Sequence, residues 1–221
     1  MIFDCAKMPP ERLYPLLAGT VVPRPIAWLS SCDDKGHSNL APFSFFQLVT
    51  DQPPTLMISI NRHADGSQKD SSRNLQLCPE LVVHLVTPEL AGLMNATAAS
   101  FAKNVSEIDA LNINTIPSQQ VRPAKVAASP VSFECKVVSL TPYPAHQPSC
   151  DILLAEVLCI DIADALLDDQ HKLRHNELDL LARLGGLWYS HSRQPDNFQL
   201  ARPASADAAV KSQTQADSNP D

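Results

Sequence analysis

Nineteen prolines are spread through the 221 residues of this chain, and they limit its fold class more than any other feature. Proline lacks a backbone N–H and fixes φ, so it is excluded from helix interiors and central strands and collects at element boundaries. A chain interrupted this often suits a loop-rich β protein better than a bundle of long helices. Glycine is scarce. From Gly19, Gly36, Gly66, Gly92, Gly185 and Gly186 no GxGxxG and no GxxxxGK(S/T) can be assembled, so a dinucleotide-type Rossmann fingerprint and a P-loop are absent. A phosphate bound here must be held by side chains and a helix N-terminus.

Between the prolines the pattern is legible. PPERLYPLLAG at 9–19 predicts a short helix with proline at its start. TVVPRPIAWLSS reads as a strand broken by prolines, CDDKGHSN as a turn, and 38–46 as a returning strand, so 20–46 forms a hairpin. TLMISI at 55–60 is a buried strand, and KDSSRNLQLC at 69–78 a short helix with Asp or Ser at its start. ELVVHLVT at 80–87 is a strand and PELAGLMNATAA at 88–99 a helix. After a loop-rich stretch over 100–130 come two long strands, VSFECKVVSL at 131–140 and ILLAEVLCIDI at 152–162. Strands in hairpin-like order with few long helices predict an antiparallel barrel carrying small helices outside it.

The length fits one domain, 1–203, followed by a polar, aperiodic tail at 204–221. A net charge of −7 argues against nucleic acid as a partner, while allowing a local basic site. The six cysteines, Cys5, Cys32, Cys78, Cys135, Cys150 and Cys159, have neither CxxC nor zinc spacing, and Cys135 and Cys159 lie in apolar runs. No secretory signal and no apolar run near 20 residues is visible. A cytoplasmic, reduced, non-membrane protein is expected.

The chemistry-bearing residues are few. KDSSRN at 69–74 joins a helix N-terminus to the hydroxyls of Ser71 and Ser72 and the charges of Lys69 and Arg73. It reads either as a phosphate site or as an ordinary capped surface helix. Arg24, between two prolines, is a rigidly placed cation suited to a ligand or to a barrel edge. Asn39, Ser44 and Ser59 offer amide and hydroxyl contacts to a heterocycle, or serve as turn and strand-end residues. His171 and His175 have helix-face metal spacing without a third ligand, and read better as a solvated face. His84 reads as a hydrogen-bonded strand residue. RLGGLWY at 183–189 reads as a helix ending in glycine, or as a glycine turn that brings Arg183, Trp188 or Tyr189 over a ligand. No GxSxG and no supported Cys–His pairing is present, so no catalytic side chain and no metal site is assigned, and any chemistry belongs to a bound cofactor.

Taken in order, RPIAW, NLAPFSFF, PPTLMISI, KDSSRN, ELVVHLV, LMNATA, SPVSFECKV and ARLGGLWY resemble the flavin reductase-like, FMN-binding split-barrel family, nearest its flavoredoxin and NAD(P)H:FMN reductase branch. The resemblance runs from about Leu13 to Pro203. It implies a mainly β protein: a six-stranded antiparallel split β-barrel with short peripheral helices, forming a homodimer with FMN at the interface. It places the FMN phosphate on Lys69, Ser71 and Asn74, with Ser30 and Ser31 near the ribityl chain and phosphate. The isoalloxazine would lie along Asn39, Ala41, Pro42, Phe43 and Ser44, with Phe45 or Phe46 pointing into the barrel. Arg24, Ser59, Arg183 and Tyr189 complete the cofactor set. The implied activity is hydride transfer from NAD(P)H to flavin, with the reduced flavin used by a flavin-dependent oxygenase or redox partner. A flavoredoxin-like electron carrier and a non-redox cofactor-binding barrel are the alternatives. One departure stands out: NVSEIDA at 104–110 replaces the Gly-(Val/Ile)-Asp-Glu-Phe segment common among relatives.

Because the tail carries no apolar period, deletion of 204–221 is expected to leave the melting temperature and flavin affinity unchanged. A drop of several degrees on removing it would show that it packs on the domain.

Overall fold

The computed structural model describes residues 1–102 and 105–206. Twelve strands appear among them: β1 (Arg24–Pro25), β2 (Ala27–Cys32), β3 (Ser38–Phe43), β4 (Phe46–Asp51), β5 (Pro54–Asn61), β6 (Glu80–His84), β7 (Thr115–Ile116), β8 (Lys125–Val126), β9 (Val131–Tyr143), β10 (Cys150–Ile162), β11 (Leu181–Gly185) and β12 (Trp188–His191). Four short α-helices accompany them: α1 (Pro10–Thr20), α2 (Asp70–Leu77), α3 (Ala91–Ala96) and α4 (Glu107–Ala110). The main sheet is antiparallel and runs β3-β2-β6-β9-β10-β5-β4, seven strands where six were expected. A small sheet, β1-β11-β12, stands beside it, and β7 pairs with β8.

The two edge strands of the main sheet, β3 and β4, are consecutive in the chain and only Ser44 and Phe45 separate them. The sheet therefore curls until its edges approach, and the Ser59 N–H donates to the Phe45 carbonyl at 2.8 Å, which extends the β4–β5 ladder into the link. Alternation along the strands sends one set of side chains inward: Leu29 of β2, Ile58 of β5, Leu81 of β6 and Leu153 of β10 meet in one core. Helix α2 closes this core through Leu75. The outward side chains build a second core, in which Trp28 and Leu40 are covered by Met94, Ile108 and Leu181. Buried on both faces, β2 is buried at all six positions.

Expectation and structure part in three places. RLGGLWY is a β-hairpin, with Gly185 and Gly186 at φ +97° and +53° forming its turn between β11 and β12. His171 and His175 lie in a loop, not on a helix face, and His171 has a left-handed backbone at φ 58°. Helix α2 begins after Lys69 in the N-cap position, so neither Asp nor Ser caps it. Of the expected tail, 204–206 are exposed and 207–221 lie outside the described residues, as does Asn104. All six cysteines are free thiols, and the sulfurs of buried Cys32 and Cys78 lie 3.6 Å apart. Among the described residues no helix is long and apolar enough to cross a membrane.

The outer face of the sheet also carries a polar fastening. Segment 117–126 is held by side chains from three neighbouring strands: the Ser30 hydroxyl donates to the Ala124 carbonyl, Glu134 accepts from the Gln119 and Gln120 N–H groups, and His84 Nε2 accepts from the Val126 N–H at 3.0 Å. His84 Nδ1 faces the Trp28 carbonyl at 2.8 Å. The neutral Nδ1–H tautomer satisfies both contacts; a second proton on Nε2 would confront the Val126 N–H. Burial pushes the His84 pKa down from 6.5 to about 4. Its stabilising contribution is therefore complete above the unfolded-state value and is lost as pH falls from 6.5 towards 4. Between pH 7 and pH 5 we expect His84 to account for roughly 2 kcal/mol of lost unfolding free energy. Urea titrations of wild type and His84→Gln at both pH values check this; equal pH slopes would remove the histidine from the account.

Candidate functional site

The link that closes the sheet also makes the site. Strand β3 presents Asn39, Ala41, Pro42 and Phe43 to a cavity of about 300 Å³, and the first turn of α2 faces it with Lys69 and Ser71. Two smaller spaces of about 130 Å³ open beside it, both also lined by Pro42, Phe43 and Ser44. One of them reaches Ser59 and Lys69, the other Arg183 and Tyr189. Ten of the fourteen expected cofactor-binding residues are thus gathered in one concave region around Pro42–Ser44.

The α2 end of the cavity is suited to an anion. The helix has no side-chain cap, so its first N–H groups keep their hydrogen-bonding capacity. Lys69 forms no ion pair among the described residues; its ammonium sits 6.0 Å from the Phe43 ring centroid. Asn39 Nδ2 donates to Ser71 Oγ at 2.9 Å, which leaves the Ser71 proton to be donated elsewhere. Arg73 is already engaged by the Asp70 carboxylate and the Gln68 carbonyl. An uncapped helix start, an unneutralised lysine and an oriented hydroxyl together fit a phosphate.

The β3 end supplies a flat surface with peptide groups along it. Phe43 is buried in the inner core, Phe46 packs against that core, and Phe45 turns outward beneath Arg24 and beside Tyr14. The hairpin β11–β12 forms a wall in which Arg183 stacks on Tyr189 at 4.5 Å and hydrogen-bonds to its hydroxyl and to the Gly186 carbonyl. Glu107 of α4 enters the cavity from the side and accepts the Leu40 N–H at 2.9 Å; burial pushes its carboxyl above the usual carboxylate value.

Four expected residues, Arg24, Ser30, Ser31 and Asn74, lie elsewhere or deeper. Arg24 is buried and donates to the Ala18 and Val21 carbonyls, so it fastens the C-terminal end of α1 rather than facing the cavity. Ser30 points outward to Ala124. Ser31 is fully buried and receives the Asn74 amide at 3.4 Å, behind the cavity wall. His63, Phe101 and Glu107 line the cavity and were missed as site residues. NVSEIDA was noted as unusual, but the sequence bears no sign that Glu107 reaches back 67 residues to Leu40. Among the described residues no group of three or more His, Cys, Asp or Glu could hold a metal ion.

Comparison with known proteins bears on the family and the fold. The flavin reductase-like domain model matches residues 19–177. A Deinococcus radiodurans protein is 39% identical over 207 residues, covering 90% of this chain and 88% of its own length. The crystal structure of nitrilotriacetate monooxygenase component B from Bacillus cereus superposes with a TM-score of 0.85 at 29% identity, covering 90% of this chain and 98% of that one. The 2-nitrobenzoate 2-nitroreductase of Pseudomonas fluorescens shares the fold, with a TM-score of 0.82 at 24% identity over 92% of this chain and 97% of that one.

The hairpin wall depends on one close approach. A Cβ at Gly185 would lie 2.8 Å from the Ala18 carbonyl oxygen, on a backbone with φ +97° that L side chains rarely adopt. Gly185→Ala is expected to lower unfolding free energy by about 1–3 kcal/mol, because strain and overlap act together. Chemical denaturation checks this, and a neutral result would show that α1 and β11 move apart at no cost.

Proposed function

This chain belongs to the flavin reductase-like domain family, and we propose that it is an FMN-binding oxidoreductase using NAD(P)H as hydride donor for a partner that consumes the reduced flavin. The observation that carries the reading is Lys69: a cation without a counter-ion among the described residues, beside an uncapped helix start, in the same cavity as the peptide edge of β3. Lys69 neutralises the phosphate, and Ser71 donates its hydroxyl proton to it, held in that orientation by Asn39. Asn74 and Ser31 brace α2 from behind. Peptide groups from Asn39 to Ser44 meet the polar edge of the ring system, with Ser59 at its margin. Arg183 and Tyr189 close the opposite side and exclude water.

FMN, when bound, supplies the hydride-accepting and electron-donating chemistry, which is why no nucleophile or general base is needed. The protein contributes placement. A flavin-dependent oxygenase as consumer is supported by the 29% identity to a protein named as a monooxygenase component. A homodimer is supported by apolar side chains left exposed on α1 and β4, among them Leu17 and Leu48. We place the protein in the cytoplasm, where its six free thiols remain reduced.

Titration of FMN by fluorescence, followed by NADH or NADPH without oxygen, tests the reading. Bound flavin bleached by a nicotinamide is the expected result; bound flavin that neither reductant bleaches makes the protein an electron carrier. Lys69→Ala is expected to weaken FMN binding by about 1.5–3 kcal/mol, the loss of a hydrogen bond to a charged group. Unchanged affinity would move the phosphate to another part of the molecule.

A further inference from the structure

Strand β3 is an edge strand: β2 pairs with it on one side, and its other side faces α4 and the cavity. An edge N–H without a strand partner needs an acceptor. At Leu40 that acceptor is Glu107 Oε2, at 2.9 Å. Leu40 stands between Asn39 and Ala41, two residues that line the cavity, and its own side chain is fully buried in the outer core. Glu107 therefore sets the position of the strand segment on which the ligand rests, and its carboxylate is itself part of the cavity wall. It is only 7% exposed and has no cationic partner within ion-pair distance among the described residues.

We propose that Glu107 is a positioning residue for the flavin and that it takes up a proton when the flavin binds. The proposal rests on the flavin reading above and goes beyond it by coupling that site to pH. The charged groups around the carboxylate explain the direction. Lys69, Arg73 and His63 line the same cavity, but Arg73 is held by Asp70 and Lys69 is the cation available to the phosphate. Asp70 repels Glu107, and Asp109 on the same helix is exposed. A flat anionic ligand removes water from the carboxylate and brings further negative charge, and both favour the neutral acid. Burial has already moved this carboxyl in that direction before any ligand arrives. Protonation leaves a carbonyl oxygen that still accepts from Leu40 and adds an O–H that can donate to a polar ring edge.

The test compares FMN dissociation constants of wild type, Glu107→Gln and Glu107→Ala between pH 5.5 and pH 8. Glutamine keeps an acceptor for Leu40 and is neutral throughout. Wild-type affinity relative to Glu107→Gln is expected to fall by roughly fivefold or more as pH rises across this range, as a shifted pKa requires. Ionisation of the FMN phosphate is common to both proteins, so the ratio isolates Glu107. Alanine removes the anchor and is expected to weaken binding roughly tenfold at both ends of the range, with glutamine restoring it at low pH. A pH-independent ratio overturns the proton coupling. Equal affinity of wild type and Glu107→Ala overturns the positioning role. Should Glu107→Ala fail to fold, the glutamine comparison alone decides the coupling. Absence of FMN binding by the wild type overturns the flavin reading itself, an outcome distinct from the other two.

Discussion

Two residues, Ser44 and Phe45, join the opposite edges of a seven-stranded sheet. Laid flat, six strand spacings would separate β3 from β4 by roughly 29 Å. Three residue steps from Phe43 to Phe46 span at most about 11 Å. The sheet must roll, and register shifts interrupt its ladders between β9 and β10 and between β4 and β5. The closure stops short of a complete ladder, so the seam remains a split. At the seam the backbone of 39–44 has peptide groups no neighbouring strand consumes, and the inner core ends in Phe43. The cavity lies at this incomplete closure.

A rolled sheet with short helices also has an outer face to cover, and this chain uses irregular backbone for part of it. Irregular backbone brings unpaired N–H and C=O groups, each costly to bury without a partner. Ser30, His84 and Glu134 supply those partners from three adjacent strands, β2, β6 and β9. Polar residues inside otherwise apolar strands are therefore structural here. Glu107 applies the same device to the edge strand, but it does so within the cavity, where holding the backbone and meeting a ligand become one task.

Much of the fold could be read from local pattern. Alternation in TLMISI and VSFECKVVSL marked strands, and NLAPFSFF marked the turn where the site forms. The misreadings have two causes, partners distant in sequence and local geometry that the residue pattern does not display. Gly185 and Gly186 signal a helix end and a hairpin turn equally well, and only the pairing of β11 with β1 selects the hairpin. Ser30 and Ser31 were read as facing one ligand, yet successive strand residues face opposite ways. Arg24 was placed rigidly by its prolines, as expected, but its target is the end of α1. Glu107 was illegible because its acceptor role exists only once α4 lies against β3.

The pairing of β1 with β11 sets Arg24 opposite Arg183, and β12 then folds back on β11. On a ribosome the first turn of α2 and strand β3, which line the cavity, emerge early, while the wall carrying Arg183 and Tyr189 is synthesised more than a hundred residues later. A nascent chain thus presents a half-built cavity, open on the hairpin side, for about half of its synthesis. The cavity is complete only when the last two strands, β11 and β12, have been made and folded back beside it.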